Sequence, residues 1–202
     1  MARRKEFDPE AALDAAMRLF WRNGYEGTST SDLVDGLGIA RASLYGTFGS
    51  QRGLYLAALD RFLSGAAAPS PADILASRTS ALDAVRDLLE TSAAAPKPGT
   101  PQGCFVVNAM VEHGDSDPEI SRRLEGNRSR LETALFGALL RARAQGRLAP
   151  GVDPSAAAAM LASNNSGLKV LSCAGEGQRD RIIATVDTVM AMLTSPAAAA
   201  TD

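Results

Sequence analysis

Apolar residues recur at helical spacing along most of the chain. Leu13, Met17 and Phe20 stand four and three residues apart and mark one buried face of a first helix. Asp8-Pro9-Glu10 supplies its start: an Asp cap, a proline in the first turn and an acid near the positive end of the helix dipole. Gly24 is expected to end it as a left-handed C-terminal cap. Thr28, Ser29 and Thr30 offer a second cap, followed by only about two turns of helix with Leu33, Val34 and Leu37 as apolar positions. Gly38 interrupts, Ile39 is apolar, and Arg41 to Thr47 reads as another short helix. After Gly49-Ser50 a longer amphipathic segment carries Leu54, Tyr55, Ala58, Leu59, Phe62 and Leu63.

Two breaks rich in small residues, Pro and Gly follow, "GAAAPSPAD" from Gly65 and "AAAPKPGTPQG" from Ala93, with one helix expected between them over Ile74–Ala93. Cys104–His113 reads as an apolar helix. Asp117-Pro118-Glu119 starts a long one running to about Gly146, and Asp153-Pro154 starts another running to about Cys173. A last helix is expected from Gln178 to Leu193, with a frayed tail beyond it. No segment alternates in the manner of a strand, and no internal repeat is evident. The fold class is therefore all-α, with about nine helices, three of them short and first.

Composition changes this picture little. Hydrophobic residues make up 46% and aromatics only 5% of the 202 residues. Abundant alanine and few aromatics favour close-packed helices. The net charge of −2 gives no overall attraction to nucleic acid. Residues 1–55 hold seven Lys/Arg and seven Asp/Glu, and the dense basic cluster is Arg3, Arg4 and Lys5. Cys104 and Cys173 suit neither a disulfide framework nor a zinc site. No apolar run reaches membrane-spanning length, and the N-terminus has no signal-peptide core, so a cytoplasmic protein without membrane association is expected. No catalytic residue, metal ligand or cofactor fingerprint can be placed. The chain has no Ser/His/Asp arrangement, no Glu-x-x-His pair, no P-loop and no dinucleotide motif.

The break at Gly38 carries the chemistry. A short helix, a tight glycine turn and a second short helix are the parts of a helix-turn-helix, which lays its second helix in a DNA major groove. Leu33, Leu37, Ile39 and Leu44 would anchor the pair. Arg41, Ala42, Ser43, Gly46 and Thr47 would then face outward, small or polar apart from one arginine able to pair with guanine. Thr30 and Ser31 offer hydroxyls and backbone N–H groups to a phosphate. The same parts also make a plain αα-corner, so the pattern alone leaves both readings open.

Further residues are more specific. Gly24-Tyr25, Ser29, Thr30, Asp32, Leu33, Gly38-Ile39, Leu44-Tyr45, Phe48, Ser50 and Leu54 together resemble the DNA-binding domain of the TetR family of bacterial transcriptional regulators. The resemblance covers roughly residues 8–60. It implies a DNA-binding domain over residues 1–50, a connecting helix over 51–64, and a ligand-binding and dimerisation domain over 65–202. It implies double-stranded DNA, a small-molecule inducer and a second copy of the chain as partners, the dimer forming through the last two helices. By position, Thr30 and Tyr45 match phosphate contacts, and the outward face of the third helix matches the base-reading surface. The family usually has a lysine where this chain has Gln51; Gln51 and Arg52 are the candidate replacements. The basic arm at Arg3–Lys5 resembles arms that touch phosphates or the minor groove.

The family's inducer pocket lies among the middle helices. That implies Cys104, Val107, Asn108 and Val111 on one side, with Asn164, Asn165 and Leu168 opposite, although buried amides also bridge neighbouring helices. Some relatives carry a reactive cysteine near the position of Cys104; a structural role is the reading taken here. His113 sits where it could cap a helix C-terminus. The function these features imply is a repressor released from a palindromic operator by its inducer. A helical-bundle enzyme and a ligand-independent DNA-binding activator are the alternatives.

Overall fold

The computed structural model describes residues 7–65, 70–94, 99, 101, 103–114 and 116–194. The basic arm at Arg3–Lys5 and the tail after Thr194 lie outside them. Among the described residues ten α-helices follow one another: α1 (Pro9–Asn23), α2 (Thr30–Leu37), α3 (Arg41–Phe48), α4 (Gln51–Leu63), α5 (Pro71–Ala76), α6 (Ala81–Ala93), α7 (Phe105–His113), α8 (Pro118–Ala144), α9 (Pro154–Leu171) and α10 (Arg179–Leu193). A single turn of 3₁₀ helix, Glu176–Gln178, precedes α10. No helix among the described residues is long and apolar enough to cross a membrane.

Most helices start where the chain offers a cap. Asp8 accepts from the Glu10 N–H at the start of α1, and Asp153 from Ser155 and Ala156 at the start of α9. Ser29 and Asp32 form a reciprocal capping box at α2. Gly38 ends α2 at φ 64°, ψ 30°, the left-handed conformation that costs a residue without a Cβ little.

Two expectations need correction. The single helix expected over Ile74–Ala93 is two helices, α5 and α6, parted at Ser77–Ser80. Ser80 is the N-cap of α6, and the break is held from far along the chain. Gln145 donates to the Thr79 carbonyl at 2.7 Å, its oxygen accepts from the Ala81 N–H at 3.1 Å, and Arg147 donates to the Ser80 hydroxyl. This brings the count to ten rather than nine. Gly24 does end α1 at positive φ (76°), but its ψ of 177° sends the chain out extended rather than into a left-handed turn.

The residues pack as two units, one of residues 1–67 and 98–124, the other of 68–97 and 125–202. By expected role the sequence divides into 1–50, 51–64 and 65–202; by packing, α7 and the first residues of α8 belong with α1–α4. The first unit is built on Met17, Phe20, Leu33, Ile39, Leu44, Leu54, Tyr55 and Leu59, with Phe105, Ala109, Ile120 and Leu124 added from α7 and α8. Leu33, Leu44, Leu54, Tyr55 and Leu59 are fully buried. The second unit buries Leu82, Val85, Leu89, Leu135, Leu139, Leu161, Leu168, Val186 and Leu193.

Candidate nucleic-acid interface

The interface is assembled by the caps and turns of the first unit. Leu33 from α2, Ile39 from the turn and Leu44 from α3 are the buried anchors, and Leu37 is half-buried. With Leu44 turned inward, Arg41, Ala42 and Gly46 are exposed and Ser43 and Thr47 half-exposed, matching the expected outward face. Ala42 and Gly46 stand one turn apart and form a stripe nearly bare of side chain. The Arg41 guanidinium lies 5.6 Å from the Tyr45 ring centre, within cation–π range. Ser31 is exposed in the first turn of α2.

Thr30, Tyr45 and Gln51 meet, although they come from three helices. The Thr30 and Tyr45 hydroxyls are 3.1 Å apart, and Thr30 donates to the Gln51 carbonyl oxygen at 3.2 Å. The Gln51 amide nitrogen donates to the Thr28 main-chain carbonyl at 2.7 Å. Both ends of that amide are thus engaged within the unit.

Arg52 is differently placed. Its guanidinium donates to Asp117 at 2.9 Å and to Glu119 at 2.9 Å, at the start of α8. The Ile120 N–H, and then Arg52, hold the Asp117 carboxyl below the usual range; Arg52, and then Arg123, do the same for Glu119. Arg123 also reaches Asp60 at the far end of α4. A cation shared between two carboxylates offers little net charge to a phosphate.

A second tie to this unit had no signal in the sequence. The Glu112 carboxylate of α7 accepts from the main-chain N–H groups of Tyr25 and Glu26, each at 2.8 Å. These are the residues that the extended exit at Gly24 turns toward α7. A Cβ on Gly24 would fall 2.9 Å from the Glu112 carboxylate. Next to it, His113 does not cap its helix. Its ring packs against Tyr25 and Tyr55, 5.6 and 5.2 Å between centres, with Nε2 buried, without a hydrogen bond and 3.8 Å from the Glu112 carboxylate.

The residues expected to line an inducer pocket fall into different packing units. In the first, Cys104 is buried, Val107 and Asn108 are half-buried, and Val111 is 84% exposed. Asn108 donates to the Trp21 carbonyl at 3.2 Å. In the second, Asn165 and Leu168 are buried, and Asn165 accepts from the Ser92 hydroxyl at 2.6 Å. Asn164 donates back along its own helix to the Met160 carbonyl. Asn164 and Leu168 also line an open groove of about 320 Å³, together with Ser163, Gly167, Leu171 and Thr185. These amides thus have protein partners: Asn108 and Asn165 bridge to neighbouring helices, and Asn164 bonds within its own.

Residues 12–58 match the family described as "Bacterial regulatory proteins, tetR family", and residues 81–179 match the "Tetracyclin repressor-like, C-terminal domain". The chain is 36% identical to YezE of Bacillus subtilis, an uncharacterized HTH-type transcriptional regulator, over 96% of this chain and 100% of the relative. It is 33% identical to the HTH-type transcriptional repressor ComR of Escherichia coli, over 83% of this chain and 80% of ComR. Among solved structures, a cysteine mutant of the TetR family transcriptional regulator CifR, complexed with 26-bp double-strand operator DNA, superposes with a TM-score of 0.80. Its identity is 30%, and the match covers 95% of this chain and 100% of that one. On these matches the chain belongs to the TetR family of bacterial transcriptional regulators.

Proposed function

We propose that this chain is a transcriptional repressor that binds a palindromic operator as a homodimer and is released by a small-molecule inducer held within residues 65–202. The observation that carries the DNA half is the outward face of α3: Arg41, Ala42 and Gly46 exposed beside the paired hydroxyls of Thr30 and Tyr45. Such a face combines a guanine-reading arginine, a bare stripe for close approach and a hydroxyl donor for phosphate. The operator complex of CifR and the repressor name of ComR support the same reading. Membership of a family of transcriptional regulators displaces the helical-bundle enzyme as an alternative.

One α3 touches few base pairs, so a two-fold dimer presenting two copies to successive grooves supplies the needed specificity. On α9, Ala156, Ala159, Ser163, Gly167 and Val170 form an exposed stripe of mostly small residues at helical spacing, and α10 exposes Ile183 and Met192. Small side chains let two helices approach closely, which suits pairing with a second copy. An inducer acts by binding the operator-incompetent state more tightly, a coupling of about 1–3 kcal/mol. Duplex DNA as the target places the protein in the cytoplasm.

The test is binding of the purified protein to duplexes enriched from a randomised pool, followed by fluorescence anisotropy. Salt-sensitive binding that Tyr45→Phe weakens across sequences is expected. Failure to enrich any duplex would remove the reading.

A further inference from the structure

The amide of Gln51 sits between a carbonyl and a hydroxyl, and that arrangement fixes where every proton goes. A carbonyl only accepts, so the Gln51 NH₂ must face Thr28, as its 2.7 Å contact shows. The Gln51 oxygen therefore faces Thr30 and can only accept from it. Thr30 has a single hydroxyl proton, and that proton is engaged. The 3.1 Å contact between Thr30 and Tyr45 then leaves Thr30 as acceptor and Tyr45 as donor. The order runs from Tyr45 to Thr30 to Gln51, and from the Gln51 nitrogen to Thr28. Phosphate oxygens only accept. The hydroxyl proton that can turn to a phosphate without breaking the Gln51 bridge is therefore that of Tyr45.

We infer that Gln51 is a positioning residue of the DNA-binding surface, which by bridging Thr28 and Thr30 makes Thr30 an internal seat and leaves Tyr45 as the hydroxyl that donates to phosphate. The inference rests on the operator-binding reading above. The bridge also ties the starts of α2 and α4 to α3, and Thr28, itself 1% exposed, anchors the far end through its hydroxyl bond to the Gly24 carbonyl. Gln51 thus contributes without touching the duplex. A hydrogen bond worth about 0.5–1.5 kcal/mol corresponds to roughly 2- to 13-fold in affinity.

The test is a double-mutant cycle on a duplex enriched by the wild-type protein, using Gln51→Met, Tyr45→Phe and the pair. Gln51→Met should weaken binding by about threefold to tenfold in the wild-type background. In the Tyr45→Phe background it should change affinity by less than about twofold, because the group it positions is gone. A Gln51 that touches phosphate itself, or merely supports the fold, gives the same factor in both backgrounds, which would overturn the inference. A second readout is independent of any variant's folding. The Gln51 side-chain NH₂ resonances of the wild type should keep their free-state shifts when duplex is added, whereas a large shift would contradict the internal bridge. A wild type that enriches no duplex removes the operator reading itself, an outcome distinct from equal factors in the cycle.

Discussion

Gly46 stands near the middle of the exposed face of α3, where glycine is the poorer helix former. Two ordinary reasons for it are absent. Its φ is not positive, and a Cβ built on it meets nothing within 4 Å. Alanine therefore fits without strain, and Gly46→Ala should raise stability by about 0.5–1 kcal/mol through helix propensity. For a chain of this size that corresponds to roughly 1–4 °C in Tm. The remaining reason for a bare position is something outside the chain. If the Ala42–Gly46 stripe rests against duplex DNA, a methyl group there holds α3 back and stretches the contacts of Arg41 and Tyr45. Losing the equivalent of one hydrogen bond to a charged group, about 1.5–3 kcal/mol, lowers affinity at least about tenfold. Thermal melts and anisotropy titrations on the same preparation measure both. A variant that melts higher and binds the enriched duplex as tightly as wild type would refute the argument.

Other consequences lie behind that face. Glu112→Ala removes the acceptor of two main-chain N–H groups; the part-buried Tyr25 bond alone should cost about 1.5–3 kcal/mol. Faster amide exchange at Tyr25 and Glu26 checks it, and unchanged exchange would show the clamp to be idle. Tyr55 is fully buried with its hydroxyl unpaired, so Tyr55→Phe should stabilise the protein by about 1 kcal/mol, read as a raised Tm. Burial first, and then Glu112, push the Tyr55 phenol well above its ordinary range. Its contribution is therefore complete below about pH 10, the unfolded value, and fades as pH climbs toward the folded one. The phenylalanine variant should lose stability less steeply in an alkaline series. Asp117 and Glu119 have the opposite sign: their folded pKa values are depressed, so their pairing with Arg52 holds above about pH 4 and fades as pH falls further. Arg52→Gln should flatten the acid limb of a denaturation series.

Much of the fold was legible because its signals are local. Asp8-Pro9, Ser29 with Asp32, Gly38 and Asp153-Pro154 each determine structure within four residues, and each acts as its chemistry dictates. The outward face of α3 follows from one buried residue, Leu44, and the helical period. What escaped the sequence acts over distance. The break before Ser80 contains neither Gly nor Pro and depends on Gln145 and Arg147, more than sixty residues away. Glu112 reads as an ordinary polar position on an apolar helix until it is seen on the N–H groups of Tyr25 and Glu26, 87 and 86 residues earlier. Arg52 looks like a free cation until Asp117 and Glu119 are found beside it. Asn108 and Asn165 suggested ligand contacts, since a sequence cannot show that Trp21 and Ser92 stand within bonding distance.

Guanine-N7 methylation interference on the enriched duplex tests the central claim most directly, because N7 lies in the major groove. The account predicts two interfering guanines related by two-fold symmetry, both losing their effect in Arg41→Ala. Tight binding untouched by N7 methylation, or interference that persists in Arg41→Ala, would contradict a major-groove reading by α3.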